Sequence, residues 1–480
     1  MPIPQAIKDF KPTEFGKVEI RDFKGKYYVY PYHYEYDEKK GRSKKVTDKM
    51  IGKITLADGF VRSKKYSIKP TTIAVKGYGV YTLFEQLNKD LYSKLKKYYP
   101  GLYREIFTIA ALQLVNKCTN KNLKEFYNNS SLSLSHPDLR LSENTITKLF
   151  ETIGNNRPVM IDFMRSYIDN DEALLFDGTN IFTQSSKSTY AKKGYNHGKK
   201  KSTQINLLYV FNYTTHSPVY YRLLPGNIVD RSTLVKTIHE AGIKNCTIIA
   251  DKGFYSKSNN SFLDENELNY ILPLQSNTKY INDAFVEEEG TDKYDDFLIY
   301  HNRPIWYKKM SVGANCHFLY IFMDTELKQV RESLYLEKIK CGYKGYTREK
   351  FNEKLKKNYL AFISNLDENP EQIYLRYKGR WEIEECFDYL KNSLKVETPY
   401  QDSNEKIEAW AFINHISLII FYNLINQIKE KNLSNKYTPE DIINISRNIY
   451  KIVLDDGQEI ISETSQKEKD LFSGLGLSFE

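Results

Sequence analysis

The sequence predicts an α/β protein: a mixed sheet with helices, interrupted by a β-rich insertion and preceded by a basic region of strands and helices. Three observations carry this. Residues 173–250 read as strand, strand, strand, helix, strand, an order that suits a mixed sheet covered by helices. Residues 17–60 alternate apolar and polar side chains at the strand period, whereas 81–155 place apolar residues at helical spacing. Residues 297–322 alternate once more, between two stretches that look like core.

Taken in order, residues 1–75 form a small β-rich basic domain. Val18-Glu19-Ile20, Tyr27-Tyr28-Val29-Tyr30 and Tyr32-His33-Tyr34-Glu35-Tyr36 are its strands, and the charged turn 37–45 has Gly41 at its centre. Residues 76–160 form a helical region: Ile106, Ile109 and Ala110 suit a buried helix, 135–137 break the pattern, and Ser142 with Glu143 caps the next helix. Residues 161–275 are the first part of the core. A strand at 173–176 ends in Asp177, strands 204–213 and 219–224 flank a turn, and helix 232–241 leads to strand 247–250, which ends in Asp251. Residues 276–345 read as the inserted subdomain, with an acidic loop at 287–296 followed by strands 297–300, 306–309 and 317–322. Residues 346–432 resume the core with strand 359–364, a long helix opening at Asn369-Pro370, and an apolar helix over 405–429. The tail, 433–480, holds a small helix and a hairpin at Asp455-Asp456-Gly457.

Composition narrows the class. Hydrophobic residues make up 41% and charged residues 27%, which is ordinary for a globular chain. The longest apolar run, 416–422, is interrupted by Ser417 and too short to span a bilayer, and residues 1–12 lack the apolar segment of a signal peptide. A soluble, cytoplasmic protein without membrane contact is expected. The five cysteines are dispersed with no Cys-x-x-Cys pair, which argues against both a disulfide framework and a structural zinc site. Net charge is +9 but uneven: residues 1–150 hold 28 lysines and arginines against 15 acids, and 151–480 hold 42 against 46. A positive N-terminal third suits a grip on a polyanion, or lysines that only solubilise a surface.

Two aspartates that end apolar strands are unremarkable alone, and the long helix adds the third element. Tyr377, Arg380, Glu384 and Lys391 lie at offsets 0, 3, 7 and 14, within an arc of roughly 60° on a continuous helix. Ile383, Phe387, Leu390 and Leu394 form an apolar side beside them, so the helix could pack on a sheet and present the polar stripe at its edge. A solvated face of i,i+4 ion pairs is the plainer alternative. Cutting a phosphodiester needs an activated attacking oxygen and a stabilised leaving oxygen, which two divalent ions roughly 3.5–4 Å apart supply together. Magnesium-type ions take hard oxygen ligands, so carboxylates from distant parts of the chain suffice, and Arg and Lys nearby hold phosphates.

These motifs resemble those of the DDE transposases of bacterial and archaeal insertion sequences, specifically the group with a Tyr-x2-Arg-x3-Glu-x6-Lys signature. Here it reads from Tyr377 through Arg380 and Glu384 to Lys391 with every spacing met. Phe176-Asp177-Gly178-Thr179 and Ile249-Ala250-Asp251-Lys252-Gly253-Phe254 match the first two motifs, and Pro225-Gly226-Asn227 with Asp230 resembles the stretch between them. The likeness covers about residues 170–430. It implies an RNase H-like core in which Asp177, Asp251 and Glu384 are the catalytic residues and hold two Mg2+ ions, with Mn2+ as a substitute. It further implies cleavage at element ends and strand transfer, by cut-and-paste, on double-stranded DNA of terminal inverted repeats and target, within a homodimeric synaptic complex. Tyr377, Arg380 and Lys391 would contact phosphates, and a tryptophan of the insertion would stack on a flipped base. Trp306, between Arg303 and Lys308-Lys309, stands for that tryptophan, or is a core residue of a small subdomain.

Competing readings are weaker. Asp177-Gly178-Thr179 is not the phosphatase motif, because position 175 is leucine, and 194–201 fails the spacing of a phosphate-binding loop. His197 suits a DNA-facing or structural histidine, and Asp388 is the runner-up to Glu384 on the helix. A nuclease that cuts without joining, and a DNA-binding protein descended from a transposase, remain as alternatives.

Overall fold

The computed structural model describes residues 2–478 except 38–40, 64–71, 197–198, 229–232, 276–280, 282–292, 314–316, 356–358 and 394–400. The chain divides into two compact units, one of Met1–Ala74 with Ile452–Ile460 and the other of Val75–Lys451 with Ile461–Glu480.

In the first unit, β1 (Val18–Phe23), β2 (Lys26–Asp37), β3 (Arg42–Thr47), β4 (Gly52–Thr55) and β5 (Gly59–Arg62) form an antiparallel sheet in the order β1-β2-β4-β5, with β3 also on β2. One face carries the core of Val18, Val29, Ile54, Ile51 and Ile7, each at most 2% exposed. With side chains alternating along each strand, the even-numbered residues of β2 must point the other way.

The second unit is built on ten strands among the described residues. In chain order they are β6 (Ala173–Phe182), β7 (Lys192–Asn196), β8 (Lys199–Asn212), β9 (Ser217–Pro225), β10 (Thr247–Ala250), β11 (Asn269–Pro273), β12 (Asp296–Tyr300), β13 (Arg303–Val312), β14 (His317–Asp324) and β15 (Leu360–Ser364). Across the sheet they run β9-β8-β6-β10-β11-β15-β14-β13-β12, with β7 paired to β8. β8 is antiparallel to both β6 and β9, whereas β10 lies parallel to β6 and β11 parallel to β10. The β8–β9 turn is held by the Asn212 side chain, which accepts from the amides of Thr214 and Thr215. β10 is an apolar Thr-Ile-Ile-Ala run whose last three residues are buried, as a central parallel strand requires.

Helix Asn404–Glu430 is the spine of the helical layer. It is long and apolar enough by composition to cross a membrane, but 83% of its apolar window is buried in this fold, against helices Tyr103–Asn116 and Glu143–Gly154 and strand β9. Its His415 is fully buried, with Nδ1 hydrogen-bonded to the Tyr209 hydroxyl.

Three elements differ from the sequence expectation. β6 does not end at Asp177 but continues to Phe182, because β8 offers it partners as far as Gln204. The long helix expected from Asn369 is broken: Pro370–Lys378 stops, and a second helix runs from Trp381 to Asp388 before a π turn at Tyr389–Ser393. The alternating strands of the 276–345 segment extend the main sheet through β14 and β15, and helices Thr325–Lys340 and Arg348–Leu355 follow them. Leu319 to Phe322 are all buried, so β14 is a central strand covered on both faces.

Burial holds the His415 imidazole down at about 3, against an ordinary 6.5. A depressed histidine stays neutral when folded and gains its proton only on unfolding, so its contribution is intact above pH 6.5 and is lost as pH falls toward 3. At pH 5 the loss amounts to about 2 kcal/mol. Thermal unfolding at pH 7.5 and 5 should therefore show a steeper acid loss for the wild type than for His415→Gln. Equal slopes would mean that His415 does not supply this proton linkage.

Candidate active site

The register of the central strands sets the site. Phe176 of β6 pairs with Ala250 of β10, so Asp177 and Asp251 follow at neighbouring positions on adjacent parallel strands, whose axes lie about 4.8 Å apart. Asp177 pairs across with Tyr209 of β8 and sits on the face covered by the helices. Asp251 leaves the sheet and opens the 3-10 turn Lys252–Phe254.

The third carboxylate arrives on the broken helix. Asn369 caps the first segment, its side chain accepting from the Glu371 amide, and Pro370 occupies the first turn. At Gly379 and Arg380 the chain tightens into i to i−3 hydrogen bonds, from Arg380 N to Tyr377 O and from Ile383 N to Arg380 O. Gly379 lies flat on the Tyr213 ring, where a Cβ would stand 2.1 Å from a ring carbon. Past the break, Ile383, Cys386 and Phe387 are buried, and the Phe387 ring meets Tyr209 edge-on at 6.2 Å. Glu382 is tied to Nδ1 of His216 at 2.7 Å. The segment is thus fixed by its apolar face and by one polar clamp.

Arg380 joins the pieces. Its Nη1 donates to Asp177 Oδ2 at 2.8 Å and its Nη2 to Glu384 Oε1 at 2.5 Å. Lys391 reaches back from the π turn to the Thr179 hydroxyl, two residues beyond Asp177 on the same face of β6. The Tyr377 ring packs at a tilt against that of Phe362 with ring centroids 4.3 Å apart, and the Arg380 guanidinium lies 5.8 Å from its ring. The stripe is not one straight face, because the helix is interrupted inside it. Arg380 still links Glu384 to Asp177, with Tyr377 beside the guanidinium and Lys391 at Thr179.

Burial dominates the electrostatics. It raises the Asp177 carboxyl to about 6; Arg380 and the Gly178 amide pull it down, while Asp251 and Glu384 push it further up. Burial also raises the Tyr377 hydroxyl to about 12 and lowers the Lys391 ammonium. The Arg380 guanidinium is raised, since Tyr377, Asp177 and Glu384 outweigh its own burial. One fixed cation thus joins the buried carboxyl of Asp177 to the exposed one of Glu384, with Asp251 following on the adjacent strand. Among the described residues no three His, Cys, Asp or Glu side chains already enclose an ion as they stand. The Arg380 guanidinium bridges Asp177 and Glu384 instead. The donor set is nonetheless all oxygen, and burial with like-charge repulsion raises Asp177 despite its bond to Arg380. It fits a hard divalent cation.

Other residues named from the sequence fall elsewhere. Asp388 is exposed at the end of its helix and hydrogen-bonded by Asn392. Trp306 lies in β13 with Phe297 and Met323 beside it in the ladder, its ring 5.5 Å from that of Phe297. Its neighbour Tyr307 pairs with Phe322, whose ring packs on Tyr374 of the helix preceding Gly379. Alternation therefore puts Trp306 on the opposite face of the sheet, and it is not brought to the carboxylates. His197 and Asp230 lie outside the described residues. The sequence reading missed Gly379, Tyr213 and the His216–Glu382 clamp, and the glycine before Arg380 was the available signal for a break.

Comparison with known proteins bears on the same segment. The model of the transposase DDE domain matches residues 169–420. Similar solved structures include a piggyBac transposase synaptic complex with hairpin DNA, at TM-score 0.41 and 12% identity over 72% of this chain and 70% of that one. Another is the Mos1 transposase paired-end complex with left transposon end, at TM-score 0.15 and 12% identity over 32% and 53%. No curated protein matches the chain.

The packing at the break makes a direct prediction. Gly379→Ala should lower unfolding stability by about 1–3 kcal/mol through overpacking on Tyr213. Tyr213→Ala in the same chain should recover part of that loss, by making room for the added methyl. Denaturant unfolding of the two single variants and the double variant measures the coupling, and additive losses would show that the ring contact does not impose glycine.

Proposed function

The chain belongs to the DDE transposase family, and from that premise we propose that it is an insertion-sequence transposase that cleaves its element's ends and transfers them to target DNA. The observation that carries this reading is Arg380 bonded to both Asp177 and Glu384 while Asp251 stands on the adjacent strand. Strands distant in sequence and a separate helix thereby meet at one point. The strand order, with an antiparallel hairpin beside the first strand and two parallel strands beyond it, supports an RNase H-like core. The Tyr377-to-Lys391 spacing supports the prokaryotic group with that signature.

Asp177, Asp251 and Glu384 would hold divalent ions, Mg2+ or Mn2+, two per site. Bound there, such ions supply activation of the attacking oxygen and stabilisation of the leaving one. The protein's own groups do the rest. Arg380 at Asp177 and Lys391 at Thr179 present cations along β6, where they bind and orient backbone phosphates as charge-assisted donors. The Tyr377 hydroxyl, held protonated by burial, serves as a neutral donor to the same backbone. The clamp of His216 on Glu382 and the seat of Gly379 fix the approach of Glu384. The basic N-terminal third supports gripping duplex DNA at the terminal repeats, and an element with two ends calls for two copies in the synaptic complex.

Asp177→Asn, Asp251→Asn and Glu384→Gln should each abolish cleavage of DNA carrying the element end while specific binding persists, since carboxylates contribute nothing favourable to a polyanion. Arg380→Ala and Lys391→Ala should weaken both end-complex formation and cleavage. Gel assays with Mg2+ on end-labelled DNA read both steps, and a Glu384→Gln protein cutting at the wild-type rate removes the assignment. Release of cut ends with no joined product would instead mark a nuclease that does not transfer strands.

A further inference from the structure

The first unit presents a surface that the catalytic reading does not use. Tyr28, Tyr30, Tyr32, Tyr34 and Tyr36 occur at every second position of β2. Val29, between two of them, is fully buried in the core, so all five rings stand on the outer face of the sheet. Tyr34 is 56% exposed and Tyr36 68%. The pairing register adds Phe23 of β1 to the same face, 68% exposed at its edge.

Cations interleave with the rings. Arg21 pairs with Tyr28, Lys45 with Tyr34 and Lys53 with Tyr28, all on this face. The Lys45 ammonium lies 4.0 Å from the Tyr32 ring, the Arg21 guanidinium 4.8 Å from the Tyr30 ring, and the Lys17 ammonium 5.5 Å from the Tyr34 ring. Glu19 is the one carboxylate on this face among the described residues of the five strands, and it binds Arg21 and Lys45. Residues 1–74 as a whole carry 17 lysines and arginines against nine acids.

From this we propose that the outer face of the N-terminal sheet binds unpaired DNA, with bases laid on the tyrosine row and phosphates on the flanking cations. A duplex hides its base faces in the stack and offers a sheet only its charged backbone, for which a row of rings is poorly suited. An unpaired strand exposes those faces, and stacking on aromatic side chains is tolerant of sequence. Spacing agrees: alternate residues of a strand repeat at ~6.8 Å, twice the ~3.4 Å stacking repeat of a duplex strand. The row therefore matches an extended strand with splayed bases. The inference goes beyond the cleavage reading, and its test leaves the carboxylates untouched.

The test uses the full-length protein in EDTA, with a short oligodeoxynucleotide containing 2-aminopurine and with the duplex of the same sequence. The wild type should quench the single strand's fluorescence. Tyr34→Ala/Tyr36→Ala, whose side chains lie outside the core, should bind the single strand roughly tenfold or more weakly, with duplex affinity within about twofold. Tyr34→Phe/Tyr36→Phe should bind it as the wild type does. Undiminished single-strand binding by the alanine pair, an equal loss on duplex, or a loss in the phenylalanine pair as large as in the alanine pair would each overturn the proposal. Tenfold tighter binding of the matching RNA strand would reassign the face to RNA. Matching circular dichroism of the variants secures the comparison.

Discussion

The ion pair that Arg380 makes with Asp177 and Glu384 is the contact on which the rest of the site depends. Setting a buried carboxylate near two others is costly, because it loses hydration and is repelled by them. The cost is visible in Asp177, raised to about 6 by burial although a guanidinium lies 2.8 Å away. A single planar cation with donors pointing two ways suits this role better than an ammonium, since it holds two acids from different elements in one geometry. Removing it would leave Asp177 its hydrogen bond from the Gly178 amide but no bonded cation.

For Arg380 to reach β6, the chain must turn within what would otherwise be one helix. The turn depends on Gly379 lying against Tyr213, and the helix beyond it is anchored by the buried side chains of Ile383, Cys386 and Phe387 as well as by the His216–Glu382 bond. The β8–β9 turn thus supports the site from outside, since Tyr213 and His216 both belong to it. The carboxylates at the sheet centre and the turn at its margin are coupled through a ring, a glycine and one hydrogen bond.

Much of this was legible in the sequence, for identifiable reasons. Asp177 and Asp251 stood out because buried strands are short apolar runs, and the register then places them side by side. Glu384 was marked by its spacing from Tyr377, Arg380 and Lys391. What was not legible depends on tertiary partners. The helix break follows from the contact with Tyr213, about 165 residues earlier in the chain, which no local period reports. The extension of β6 to Phe182 follows from β8, and the strands from Asp296 to Asp324 join the main sheet only because β15 returns beside β14. Alternation showed that Trp306 belongs to a strand, but which face it takes is set by which neighbours pack there. Helix Thr325–Lys340 carries exposed Val330, Leu334 and Leu336, which blurs the helical period a reader would look for.

The claim that Asp177, Asp251 and Glu384 act together as a site for hard divalent ions is tested most directly by titrating Mn2+ into the full-length protein and following free Mn2+ by electron paramagnetic resonance. Bound Mn2+ is expected in the wild type, with binding sharply weakened in Asp177→Asn and in Asp251→Asn while the fold stays intact. Undiminished Mn2+ binding by both variants would contradict it, because the ions would then be held somewhere other than between the two strands.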